Sequence, residues 1–166
     1  LGRSAAQFDE AKLKWVNTQH IKSTADEVLA AWVQTHLAQQ GVVTDERLVP
    51  MCALLKDRCD TLVVLADWVK RFYTDVAADP AEYDKHVTSA VVPAVAALAQ
   101  ALADGEWSVA NIAAAMKQVL ADHSLKMPQL AMPVRVLVLG VAQTPSVDQV
   151  LFLCGKEKVL RSLAKA

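Results

Sequence analysis

Glycine and aromatic side chains are scarce in this sequence: five glycines in 166 residues, with Phe, Trp and Tyr together at 5%. With so little glycine there is no loop to cradle a phosphate. No serine or cysteine sits in a nucleophile signature and no two carboxylates pair convincingly for acid–base work, so the motifs of a self-sufficient enzyme are missing and no residue is assigned a catalytic role. Cys52, Cys59 and Cys154 form no C-x-x-C and are odd in number, which fits buried, reduced thiols in a cytosolic protein. His20, His36, His86 and His123 have no ligand spacing with one another or with the cysteines, so no metal site is expected. No apolar stretch is long and suitably flanked for a signal peptide or a membrane span. Net charge is −1, so no global field draws the chain to nucleic acid. The chain opens on Leu1 rather than Met, and we expect it to be a fragment of a longer protein.

What remains is rich in Ala, Val and Leu, long enough to bury most of its apolar surface, and biased toward helix. Charge is unevenly spread. From Asp75 to Lys126, three lysines face seven carboxylates, a net −4; from Pro128 to Ala166, five Lys/Arg face Asp148 and Glu157, a net +3. A basic end beside an acidic middle suits a phosphate-binding face, and equally an ordinary solvated helix surface.

Helical signals follow in order. Over Phe8 to Ile21, Asp9 is a plausible N-cap, Phe8 is placed to staple onto Leu13, and Trp15 and Val16 would be buried. Thr24 to Glu27 has the spacing of a capping box, opening a helix with Val28, Leu29, Trp32, Val33, His36 and Leu37 on one face and Gly41 at its end. Thr44 begins another helical stretch, broken or restarted at Pro50, that runs through Leu54 and Leu55 to Arg58. Asp60 or Thr61 caps the next, which carries Leu62, Leu65, Ala66, Val69 and Phe72. The chain thus turns sharply at Asp57-Arg58-Cys59-Asp60, between two apolar helices, and such junctions present side chains outward. Asp79-Pro80 marks a break, with a domain boundary expected between Arg71 and Asp79. Beyond it, Pro93 falls in the first turn of a helix with Val91, Val95, Leu98 and Leu102 as its stripe, ended by Gly105. Ser108 caps a helix with Val109, Ile112, Met116 and Val119 inward.

Val134 to Leu139 is β-branched and resembles a buried strand. No second convincing strand exists to pair with it, and a lone strand is unstable, so helix is the expectation. Thr144 is expected as an N-cap with Pro145 at the first helical position, followed by Val147, Val150, Leu151 and Cys154 at helical spacing and Gly155 as terminator.

Two motifs at opposite ends resemble one family. The series P-x-R-V-x-x-x-G, T-P-S, then G-K-E-K-V-L-R-S-L between Pro133 and Leu163 is similar to the C-terminal end of bacterial glutamyl-tRNA synthetases. The series F-D-x-x-K-L-x-W-x-N-x-x-H-I, with Phe8, Asp9, Lys12, Leu13, Trp15, Asn17 and Ile21 matching, resembles the segment where these enzymes pass into their anticodon-binding part. His20 stands where that family usually has Tyr.

The resemblance implies an all-α fold of two packed helical subdomains: a connector over 1–22, a first subdomain over 23–74 and a second over 75–166. It implies that the partner is glutamate tRNA, and that the catalytic portion, with its ATP and Mg2+, lies N-terminal to this chain. By the same token the fragment needs no cofactor and should be inactive alone, in a monomeric cytoplasmic enzyme.

The resemblance also assigns residues. Glutamate anticodons end in C and glutamine anticodons in G, so the last base separates them. Cytosine offers two acceptors on its Watson–Crick edge, whereas guanine offers one acceptor and two donors; arginine is a donor-only fork. In the family a residue just before an x-D-T-L segment contacts that base, and here R-C-D-T-L places Arg58 there. Members with Gln at this position are associated with relaxed reading. Arg135, Thr144, Pro145 and Val147 match positions around the first anticodon base, with Asp148 where the family often has a bulkier residue. Lys156, Lys158 and Arg161 are candidates for phosphate contact or for solvent. A helical protein-interaction module that kept the fold without reading RNA is the alternative.

Overall fold

The computed structural model describes residues 20–166, and every regular element among them is helical. Of the helix expected over Phe8 to Ile21, only the end is described, with residues 20–23 helical and Ile21 buried; Phe8, Asp9 and Trp15 lie outside the described residues. The chain divides into two compact units, one up to Thr74 and one from Asp75.

The first unit holds α1 (Asp26–Ala38), α2 (Leu48–Leu55), a 3-10 turn (Lys56–Arg58) and α3 (Leu62–Tyr73), the three α-helices packing on one another. Leu29, Val33 and Leu37 of α1 meet Met51, Cys52 and Leu55 of α2 and Leu65, Val69 and Phe72 of α3, all essentially without solvent exposure. The buried stripe of α1 differs from the expected one: Val28 and Trp32 face outward, and Trp32 stacks on His36 at 4.8 Å instead of entering the core. The capping box did not form. Ala25 is the N-cap, and the Thr24 hydroxyl turns back to donate to the His20 carbonyl; Asp26 and Glu27 still place negative charge in the first turn, where the helix dipole favours it. Nor does a helix start at Thr44. Residues 42–47 are a loop, and α2 begins at Leu48, which puts Pro50 in the first turn where its missing N–H is harmless.

That loop is tied down from its middle. The Asp45 carboxylate accepts from the Arg47 backbone and side chain and, at 2.7 Å, from the Tyr73 hydroxyl at the end of α3. The Arg47 guanidinium lies over the Tyr73 ring, 4.9 Å from its centre. Burial alone would raise the Asp45 carboxyl, but the hydrogen bonds from Tyr73 and Arg47 outweigh it and hold the group below the usual carboxylate value.

The second unit holds α4 (Pro80–His86), α5 (Val92–Asp104), α6 (Val109–His123), α7 (Met127–Leu139), α8 (Val147–Cys154) and α9 (Lys156–Leu163). Helix α7 is central and touches each of the other five. That explains its strand-like composition: from Val134 to Leu139 every residue but Arg135 is buried, so the segment needs apolar groups all round rather than on one stripe. Ser108 caps α6 by accepting from the Asn111 N–H, and Pro93 sits in the first turn of α5, both as expected. Ser124 takes a left-handed turn (φ 54°) to end α6, and Gly140 (φ 79°) ends α7. Gly155, at φ 92° and ψ 149°, ends α8 and starts α9 in a conformation open in practice only to glycine.

Candidate functional site

Arg58 closes the 3-10 turn between α2 and α3, and is exposed. Its neighbours are fixed on both sides. Lys56 pairs with Asp26 at 2.9 Å, joining the turn to the start of α1. Cys59, 1% exposed, buries its side chain and donates to the Leu55 carbonyl at 3.3 Å. Thr61 caps α3 by accepting from the Val64 N–H at 3.1 Å. Arg58 makes no ion pair with a described residue, so its guanidinium is not held by Asp57 or Asp60. The outcome is an exposed, donor-only side chain on a base tied at both sides. Thr61→Ala is expected to lower the stability of the first unit by about 1 kcal/mol, read by urea denaturation, through loss of this cap.

The cysteines are inert beneath this surface. Burial pushes the Cys52 thiol up to about 12 and the Cys59 thiol to about 11, so neither is an available nucleophile at neutral pH. Among the described residues no cluster of His, Cys, Asp or Glu is arranged to hold a metal ion.

In the second unit, Arg135, Thr144, Pro145 and Val147 do come together. Thr144 is not the helix cap. Its hydroxyl donates to the Pro145 carbonyl at 2.8 Å, and the Arg135 guanidinium donates to the same oxygen at 3.2 Å. This draws residues 144–146 into a turn against α7 and moves the start of α8 to Val147, with Ser146 as N-cap. Thr144 is buried, at 7% exposure, so its hydroxyl is engaged inside rather than offered to solvent. Beside the turn lies a cavity of about 490 Å3, walled by Met116, Met127, Met132 and Val147, with Arg135 and Asp148 among its polar groups. The volume lies in the range of small-ligand pockets, and its methionines give a soft apolar wall against which a flat ring packs well. Asp148 directs one oxygen to the Gln149 backbone N–H.

In the basic tail, Lys158 is the residue that departs from expectation. Lys156 donates to the Gly105 carbonyl at 3.1 Å, and Arg161 pairs with Asp75 at 2.8 Å, holding that carboxyl below its usual value. Lys158 is buried, at 6% exposure, and donates at 2.8 Å to the Val138 carbonyl, one of those that the end of α7 leaves without a helical partner. Burial lowers its basicity. It is an internal tie between α9 and α7 rather than a surface group. Reasoning from sequence missed Lys117, which shares the Arg135 cavity from α6. Eighteen positions separate the two in the chain, and no local pattern links them.

The family model described as "Anticodon binding domain" matches residues 8–166, and the chain belongs to this family. Its relatives are more specific. It is 58% identical, over 98% of its length, to the glutamate–tRNA ligase of Albidiferax ferrireducens, and 60% identical over its whole length to that of Paracidovorax citrulli. The chain spans about a third of the length of these curated relatives (35% and 36%). A crystal structure of a glutamate tRNA ligase from Elizabethkingia meningosepticum shares the fold, with a TM-score of 0.86 at 22% identity over 93% of this chain and 31% of that one. No helix among the described residues is long and apolar enough to cross a membrane.

Proposed function

We propose that this chain is the anticodon-reading portion of a glutamate–tRNA ligase of the type specific for glutamate tRNA. Identity of 58–60%, over 98–100% of this chain, to about a third of each of two glutamate–tRNA ligases carries the proposal. In the full protein the ATP- and Mg2+-dependent attachment of glutamate belongs to the portion of the relatives that this chain does not span. The setting is the cytoplasm, and the enzyme acts as a monomer. The reading is divided between the two units. Arg58, presented on its braced junction, donates to O2 and N3 of the last anticodon base when that base is cytosine; guanine would oppose its own N–H groups to the guanidinium. Arg135 and the Val147 wall of the cavity receive the first base, while Thr144 and Pro145 set the turn that shapes the cavity.

Direct binding tests this. At a stated salt concentration the chain should bind glutamate tRNA about 5- to 150-fold more tightly than the same tRNA with C changed to G at the last anticodon base, corresponding to about 1–3 kcal/mol of base discrimination. Equal binding to both would remove last-base reading from the chain. Failure to bind either would favour a helical protein-interaction module.

A further inference from the structure

The stretch from Asp75 to Lys126 is acidic, yet its three lysines are placed selectively. Lys85 lines a cavity of about 330 Å3 together with His86 and Gln129, and Lys117 lines the Arg135 cavity. Lys126 stands as the N-cap residue of α7, immediately before the turn that both cavities share. The two cavities have Pro128 and Met132 as common walls, so they lie on either side of these two side chains at the first turns of α7. None of the seven carboxylates in the stretch lines either cavity. Four are engaged away from the cavities: Asp75 pairs with Arg161, Asp79 caps α4 through the Ala81 N–H, and Asp104 and Asp122 accept from Gln100 and Gln118; Glu82 faces His86, a wall of the Lys85 cavity, at 3.3 Å.

The contrast with the other cations of this unit sharpens the point. Arg135, Lys156, Lys158 and Arg161 each direct a donor to a group inside the unit. Lys85, Lys117 and Lys126 are exposed, and none makes an ion pair with a described residue. Lys165, in the tail, is likewise exposed. Lys85, Lys117 and Arg135 line these neighbouring cavities against one carboxylate, Asp148, and Met132 and Pro128 lie between them, an arrangement complementary to a strand that alternates phosphates with flat apolar rings.

We propose that single-stranded RNA continues past the Arg135 cavity, over Pro128 and Met132, into the Lys85 cavity, with Lys85, Lys117 and Lys126 neutralising successive phosphates. This rests on the reading of the chain as an anticodon-loop binder and extends the contact to nucleotides beyond the anticodon base in the Arg135 cavity. The lysines position the strand without distinguishing bases.

The experiment measures binding of glutamate tRNA by the wild-type chain and by a Lys85→Gln, Lys126→Gln double variant across a series of salt concentrations. For single strands each phosphate contact contributes about 0.7 to the slope of log affinity against log salt. The double variant should therefore bind more weakly at low salt, with a slope shallower by about 1.4, while its preference for C over G at the last anticodon base stays the same. Both substitutions are at exposed positions, and circular dichroism checks that the helices persist. If the wild-type chain binds with the base preference and the double variant keeps the full slope and affinity, these cavities are not the path of the strand. A wild-type chain that shows no binding or no preference would instead overturn the underlying reading of the domain.

Discussion

Arg58→Gln is expected to leave the chain folded and to bring its affinities for glutamate tRNA and for the C-to-G variant close to equality, a loss of about 5- to 150-fold in preference. Folding should survive because Arg58 is exposed and makes no ion pair with a described residue, and surface substitutions of this sort usually change stability by less than about 0.5 kcal/mol. The preference should fall because of what each side chain can do at a base edge. Guanidinium only donates, so it accepts cytosine's pair of acceptors and leaves guanine's N–H groups opposed. A glutamine amide donates and accepts, so it can turn to satisfy either base. Arg58→Lys separates charge from shape: it keeps the cation but loses the planar fork, so it should retain phosphate-driven affinity while losing most of the discrimination. The measurement is a pair of equilibrium binding curves per variant, with urea denaturation to verify stability. A glutamine variant with the wild-type ratio would take Arg58 out of the reading.

The exposure of Arg58 was visible in the sequence because it depends on local facts. Two apolar helices are separated by a few polar residues, and Thr61 is a cap that needs only its own helix. The same holds for Ser108 and for Gly155, whose placements follow from residue type and the neighbouring periodicity. Thr144 failed for the opposite reason. Thr-Pro-Ser satisfies the local rule for a cap two residues too early at Thr144 and again at Ser146, and the choice goes with Arg135, which reaches across from α7 to the Pro145 carbonyl. Val134–Leu139 is another case where tertiary context decides: the residues favour a strand, and burial on all sides by five neighbouring helices makes them a helix. On α1, periodicity found the right helix and rotated its stripe, because Trp32 stacks on His36 at the surface instead of packing inward. The neighbouring cavities beside α7 left no trace in the sequence. The lysines there are scattered over α4, α6 and the start of α7, and only packing gathers them.

Lys158→Ala is expected to destabilise the second unit by about 2–4 kcal/mol. The side chain is 6% exposed, so truncation removes buried methylenes worth about 0.8 kcal/mol each. It also leaves the Val138 carbonyl, at the end of α7, without the donor that meets it at 2.8 Å; a buried acceptor abandoned in this way costs about 1–3 kcal/mol. Relief of ammonium desolvation offsets part of the loss. Lys158→Met restores the packing without the donor and should fall between wild type and alanine. Alkaline pH tests the electrostatic part. Burial holds the Lys158 ammonium below its ordinary value of 10.5, so in the window just under that value the unfolded chain binds more protons than the folded one. Stability of the wild-type chain relative to Lys158→Met should therefore rise as pH climbs through that window, because the neutral amine still donates to Val138 and no longer bears the cost of burying charge. The readout is the urea midpoint of each variant at neutral and alkaline pH. If alanine matched wild type in stability and weakened RNA binding instead, Lys158 would belong to the RNA-facing surface and not to the tie between α9 and α7.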